Sequence, residues 1–286
     1  MHMELSTPSD RSIQMQRVTE RGAADAKDLL VAEEPLGVLL SWPGRGEPYE
    51  LVVTMRTPGD DEALATGYLL SEGILRDRVS VVDLKTLPGA EGEATQIVVC
   101  LSAPPESLDR QRRTGYASSS CGLCGKASVS AVIAADRPEM AMVDGVWSSS
   151  LIRSLPQRMR DEQEVFERTG GLHAAALFDA TGELRLLAED VGRHNAVDKA
   201  IGEVQLRAEA IAPEDILVVS GRAGFEIVQK AVMAGIAGMA AVGAPSSLAV
   251  ELAERSGMTL IGFLRERRFN VYTGARRLRL DGLESP

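Results

Sequence analysis

The chain has 286 residues, 44% of them hydrophobic, and a formal net charge of −10. That length holds one large or two small domains, and that apolar fraction supplies a core, so a disordered chain is excluded. The acidic balance argues against nucleic-acid binding through bulk electrostatics, and no run of about 18 apolar residues is present to span a membrane.

Residues 1–25 are polar and aperiodic and predict a loose tail. The opening Met-His-Met-Glu-Leu-Ser lacks a basic segment followed by an apolar one, so a cytoplasmic location is expected. A smaller, β-rich α+β domain is predicted over 26–117. Within it, Leu36–Trp42 and Glu50–Met55 flank Pro-Gly-Arg-Gly-Glu-Pro, a hairpin pattern. Thr57-Pro-Gly-Asp-Asp-Glu opens a helix with acids in its first turn. Strands are expected over 79–84 and 96–101, with Cys100 as a small buried hydrophobe.

Residues 118–126 read Ser-Ser-Ser-Cys-Gly-Leu-Cys-Gly-Lys and predict a mobile loop carrying Cys121 and Cys124. Two thiols three positions apart can exchange disulfides, share a reactive environment or hold a soft metal. A thiolate is the nucleophile, and Lys126 or a following helix N-terminus favours it. With three cysteines in the chain there is no disulfide framework.

An α/β domain is predicted over 127–286. Helices are expected over 127–135 and 151–168, the second bent near Pro156. A hairpin over 172–178 and 183–188 follows, then a helix capped by Asn195, with Asp198 as its capping-box partner. The last hundred residues alternate: a strand over 216–220, a helix over 226–239, a strand from Ala240, a helix over 246–255 and a strand over 258–264. This order predicts parallel strands with right-handed crossovers. Ligands gather at the carboxyl ends of such strands, here Ser220-Gly-Arg-Ala-Gly224, Gly243-Ala-Pro-Ser-Ser247 and Leu264-Arg-Glu-Arg-Arg268.

Six arginines (265, 267, 268, 276, 277 and 279) fall between Arg265 and Arg279 against one acid, Glu266. Guanidinium forks match phosphate bidentately, although a basic run, the last three arginines above all, is also an ordinary solvated surface. Arg222 lies in a strand-to-helix turn suited to a phosphate. His194, in Glu189-Asp-Val-Gly-Arg-His-Asn195, has the surroundings of a site; His173, between apolar residues, reads as a core or hydrogen-bonding residue. A Cys2His2 zinc site from Cys121, Cys124, His173 and His194 has the right residue types but no supporting spacing. Zinc-dependent deamination is excluded, because the glutamate of His-x-Glu is missing: Ala175 and Ala196 stand there.

Several of these segments together, in order, resemble the formate dehydrogenase accessory sulfurtransferases (the FdhD family). They are Thr57-Pro-Gly-Asp-Asp-Glu with Gly67-Tyr-Leu-Leu-Ser-Glu-Gly, the Ser-Ser-Cys-Gly-Leu-Cys-Gly loop, Thr169-Gly-Gly-Leu-His, Glu189 to Lys199, Ser220-Gly-Arg, and Phe263 to Thr273. The resemblance covers about residues 30–280. It implies a C-terminal domain with a three-layer α/β sheet similar to cytidine deaminases, and a homodimer. It also implies a sulfur carrier that takes sulfur from a cysteine desulfurase as a persulfide. The sulfur passes to a Mo-bis(molybdopterin guanine dinucleotide) cofactor, bound as cargo, for formate dehydrogenase. Cys121 then carries the persulfide and Cys124 assists. Phe263, Leu264, Arg265, Glu266, Arg267 and Arg268 match the family's cofactor-binding segment, with Arg222, Arg193 and His194 as further pocket residues. Two other readings stay open: a molybdenum-cofactor chaperone without sulfur transfer, and a zinc-stabilised structural module.

Overall fold

The computed structural model describes residues 9–75, 80–89, 94–105, 140–141 and 143–281. Cys121, Cys124, the loop 118–126 and the helix expected over 127–135 lie outside the described residues.

The chain begins with an antiparallel hairpin, β1 (Asp10–Thr19) and β2 (Gly22–Val31). The expectation of a loose tail to residue 25 is therefore corrected. Both faces of this hairpin are mostly exposed, so no apolar alternation marks it in the sequence. The expected second hairpin is present as β3 (Glu34–Ser41) and β4 (Tyr49–Arg56). After α1 (Asp61–Ser71), β5 (Val81–Leu87) and β6 (Thr95–Leu101) complete a four-stranded sheet in the order β4-β3-β6-β5. Cys100 is only partly buried there.

The second half starts with β7 (Trp147–Ser148) and α2 (Ser149–Asp161), where Ser148 Oγ accepts from the backbone N–H of Leu151 as N-cap. Pro156 sits inside α2 without ending it. The break comes later, before α3 (Glu164–Thr169). The remaining elements are β8 (His173–Phe178), β9 (Leu184–Asp190), α4 (Arg193–Leu206), β10 (Ile216–Val219) and α5 (Phe225–Met233). Then come β11 (Gly238–Ala241), α6 (Ser247–Ser256), β12 (Thr259–Arg265), β13 (Arg268–Thr273) and β14 (Leu278–Arg279). A six-stranded sheet runs β13-β12-β11-β10-β8-β9, with β10, β11 and β12 parallel as expected. Helix α5 stops at Met233 rather than 239, because Gly235 takes a positive φ of 76° and the next apolar run is needed as β11.

Strand alternation divides the six-stranded sheet between two apolar layers. Ala174, Ala176, Phe178, Ile216, Val218, Ala240 and Ile261 face α2 through Ile152, Leu155 and Met159. Ala175, Leu177, Leu217, Val219, Met239 and Leu260 face the other way, into a cluster with α4, α5 and α6. The same cluster continues through α1 to Leu36, Val38, Leu40, Ile97 and Val99 of the four-stranded sheet. One core thus serves both halves. Helices α1 and α4 cross backbone to backbone at Gly67 and Gly202: a Cβ on Gly67 would overlap the Asp198 carbonyl and lie 2.8 Å from Gly202 N.

Candidate functional site

The carboxyl ends of β10, β11 and β12 are stitched together by backbone hydrogen bonds. Gly243 N–H donates to Gly221 O at 2.8 Å, Ser246 N–H to Ala223 O at 3.0 Å, and Phe263 N–H to Gly243 O at 3.0 Å. A Cβ on Gly243 would lie 2.8 Å from the Cα of Arg222, so only glycine permits this approach. Arg222 and Arg265 flank Gly243: the Arg265 side chain donates to Val242 O at 2.6 Å and to Leu264 O at 2.7 Å.

Those two bonds change the role open to Arg265. Its Nη1 closes the strand end, while Arg265 itself stays exposed, as do Arg222, Glu266, Arg267 and Arg268. Leu264 is also reassigned, since its side chain is fully buried and serves the core below α2. Arg277, expected on a basic surface or at a ligand, is buried and donates to Gly257 O and Ala141 O.

Phe263 is the opposite case. Its side chain is 41% exposed and its φ is +52°, a left-handed conformation that costs a bulky residue roughly 1–2 kcal/mol. A shift in register between Gly262 and Arg265 turns this ring outward and Leu264 inward. Strain of this kind collects at functional positions. Replacing Phe263 with glycine should therefore change stability by less than about 1 kcal/mol despite the loss of a ring. Chemical denaturation measures it, and a loss well above that figure means the ring is structural.

Helices α4 and α5 begin at the same edge. Their N-caps, Gly192 and Gly224, offer no side-chain hydrogen bond. The first turn of α4 holds Arg193 and His194 and no acid, the wrong sign for a helix N-terminus but the right one for a bound anion. His194 Nε2 lies 2.9 Å from Glu226 Oε2 at the start of α5. The hydrogen bond from His194 holds the Glu226 carboxyl below its usual range. A Cβ on Gly221 would lie 3.5 Å from His173 Nδ1 and 3.9 Å from Arg193 Cβ, so these groups share one corner. Burial first, then the charges of Arg193 and His194, push the His173 imidazole below its ordinary value and favour its neutral form.

A buried ion pair supports this corner. Asp190 and Lys199 meet at 2.9 Å, exposed by 0% and 2%. The Asp190 carboxylate accepts from Thr57 N–H at 3.1 Å, Gly192 N–H at 2.8 Å and the Asn195 amide at 3.0 Å. Lys199 donates to Thr57 O at 2.9 Å, joining the loop after β4 to the start of α4. Asn195 is thus not the helix cap: its amide donates to Met55 O at 2.7 Å and Gly192 holds the cap position. Nor does Asp198 complete a capping box; it accepts from Ser71 Oγ at 2.6 Å and pairs with Lys230 at 2.9 Å. Glu226, Asp190 and Lys199 were not singled out from the sequence, though an acid in the first turn of α5 was visible there. Among the described residues no group of three or more His, Cys, Asp or Glu side chains is placed to hold a metal. No helix among them is long and apolar enough to cross a membrane.

Residues 31–279 match the profile of the FdhD/NarQ family. The chain is 49% identical over 282 residues to the sulfur carrier protein FdhD of Streptomyces coelicolor, covering 93% of this chain and 98% of that one. It is 45% identical over 270 residues to the protein of the same name from Mycolicibacterium paratuberculosis, covering 92% and 97%. The crystal structure of a candidate formate dehydrogenase accessory protein from Desulfotalea psychrophila superposes with a TM-score of 0.73. That match covers 95% of this chain and all of the other at 22% identity, a likeness of fold. On the strength of the profile match and of these relatives, the chain belongs to the FdhD/NarQ family.

Proposed function

We propose that this protein is a cytoplasmic, homodimeric sulfur carrier for formate dehydrogenase, with Cys121 as the residue that holds sulfur. The observation that carries the reading is the Cys121-Gly-Leu-Cys124 pair in a chain whose relatives are named sulfur carrier proteins. The donor is a cysteine desulfurase. The Cys121 thiolate attacks the terminal sulfur of the donor's persulfide, a new S–S bond forms on Cys121, and the donor's cysteine leaves as thiolate. Cys124 then attacks Sγ of Cys121, giving a Cys121–Cys124 disulfide and releasing hydrosulfide. The transferred sulfur gains the two electrons that the dithiol loses, and a thiol reductant restores the pair.

The receiving cargo is the Mo-bis(molybdopterin guanine dinucleotide) cofactor. The edge formed by α4, α5 and the ends of β10–β12 suits its phosphates: two helix N-termini without side-chain caps, Arg193, His194 and Arg222. Exposed Phe263, Arg267 and Arg268 extend that surface, Glu266 and the His194-paired Glu226 give it two acids, and Arg265 braces it. The cytidine deaminase likeness of the C-terminal sheet belongs to the same reading and concerns architecture alone.

Intact mass measurement after incubation with cysteine desulfurase and cysteine tests the carrier. Wild type should gain sulfur that reductant removes, and Cys121→Ala should gain none. An adduct that persists in Cys121→Ala and vanishes in Cys124→Ala would move the carrier site to Cys124. If no form gains sulfur while the desulfurase is active, the reading gives way to a cofactor chaperone without sulfur transfer. Stoichiometric zinc in the purified protein would favour a structural module instead.

A further inference from the structure

Trp42, Arg45 and Tyr49 stand together at the turn between β3 and β4, away from the edge described above. The guanidinium carbon of Arg45 lies 4.7 Å from the centre of the Trp42 ring and 5.1 Å from that of Tyr49. The backbone N–H of Arg45 donates to Trp42 O at 3.1 Å, which tightens the turn. Both rings also pack against the main apolar core, so the two walls of the clamp are anchored.

Among the described residues this cation is held but not neutralised. Its Nε is enclosed and meets no hydrogen-bond acceptor among the described residues. By contrast, Arg56 pairs with Asp61, and Arg185 with Glu209 and Asp215. Glu47 on the turn and Glu50 at the start of β4 are exposed, yet neither is paired with Arg45. A stacked guanidinium has already lost most of its rotamer freedom, so it binds a planar carboxylate with little further ordering. Tryptophan, tyrosine and arginine are also the residue types that dominate the energetic centres of protein interfaces.

The position of the clamp indicates which partner. Strand β6 pairs parallel with β3 as far as Ser41 opposite Cys100, so β6 runs out beside Trp42. From there the sequence leads through Pro105 to Cys121. A protein seated on the turn lies against the start of the segment that bears the cysteine pair. The anion-receptive edge, where the cargo is read to bind, is built from other strands.

We propose that Trp42, Arg45 and Tyr49 form the docking contact for the protein that hands sulfur to Cys121, and that the partner's group seated in the clamp is a surface carboxylate. This rests on the sulfur-carrier reading. The two exposed glutamates restrict the contact to a single well-placed acid, because a broad acidic patch would meet like charge.

The test measures sulfur loading of the full chain from a cysteine desulfurase supplied with cysteine, over a range of desulfurase concentrations. Wild type, Arg45→Glu and Arg45→Lys are compared, with inorganic polysulfide as a second donor that needs no docking. Arg45→Glu should raise the half-saturating desulfurase concentration about tenfold or more at an unchanged maximal rate. Arg45→Lys should fall between, because lysine keeps the charge and loses the planar fork. Polysulfide should load all three alike, which shows that the acceptor thiol stays reactive, and equal circular dichroism and thermal unfolding show that the variants are folded. Equal half-saturation in wild type and Arg45→Glu overturns the proposal. So does a change of oligomeric state in Arg45→Glu on size exclusion, which would assign the clamp to a contact between copies. If wild type takes sulfur from neither donor, the sulfur-carrier reading falls first and the docking role falls with it.

Discussion

Gly67→Ala will destabilise the protein by on the order of 3 kcal/mol or more, and Gly202→Ala by a similar amount. A Cβ on Gly67 would lie 2.6 Å from the carbonyl carbon of Asp198, and one on Gly202 would lie 2.7 Å from that of Ala63. These neighbours are helix backbone, which cannot swing aside as a side chain can. The helices must separate, and separation opens the cluster in which Leu64, Leu69, Val197 and Ile201 pack. Urea unfolding gives the number, with Gly46→Ala as the control, since a Cβ there would meet nothing within 4 Å. A loss below about 1 kcal/mol in Gly67→Ala would mean that the crossing tolerates a wider spacing.

Lys199→Met is the second large effect. It leaves the Asp190 carboxylate without its cation at a fully buried position, and breaking such a pair from one side costs about 3–5 kcal/mol. The double variant Asp190→Asn, Lys199→Met should recover much of that loss, because no unpaired charge is then buried. Asp190 also holds the N–H groups of Thr57 and Gly192. The single variant should therefore loosen the start of α4 and weaken binding of an anion there, read with inorganic pyrophosphate as the probe. Full stability in Lys199→Met would show that the pair is dispensable and that backbone contacts hold the corner.

The parts of the fold legible in the sequence were those with strong local punctuation. The six residues between Trp42 and Tyr49 mark a hairpin by their prolines and glycines, and Asp179-Ala-Thr-Gly marks another, closed by Asp179 accepting from the N–H groups of Thr181 and Glu183. The parallel β10–β12 unit followed from short apolar runs separated by helix-length segments. What escaped was set by contacts remote in sequence. The β1–β2 hairpin has no buried face to impose a pattern, and its ties, such as Arg168 with Asp10, link distant residues. Gly238 begins a strand where Trp147 packs against it, although its apolar neighbours suit a helix equally well. At the site, residue type located the edge but not the division of labour. Arg222 and Arg265 both read as phosphate ligands, and only geometry shows that Arg265 is occupied by two carbonyl groups. Cys121 and Cys124 rest on sequence alone.

The meeting of α1 with α4 also has a bearing on how the chain is made. Gly67 leaves the ribosome about 130 residues ahead of Gly202, and at 5–20 residues per second that interval is on the order of 10 s. During it the N-terminal sheet and α1 have no α4 to cover them, and leucines that end fully buried face water or a chaperone. Newly made protein should therefore pass through an aggregation-prone interval that ends only when residue 202 arrives, and shorter fragments should never leave it.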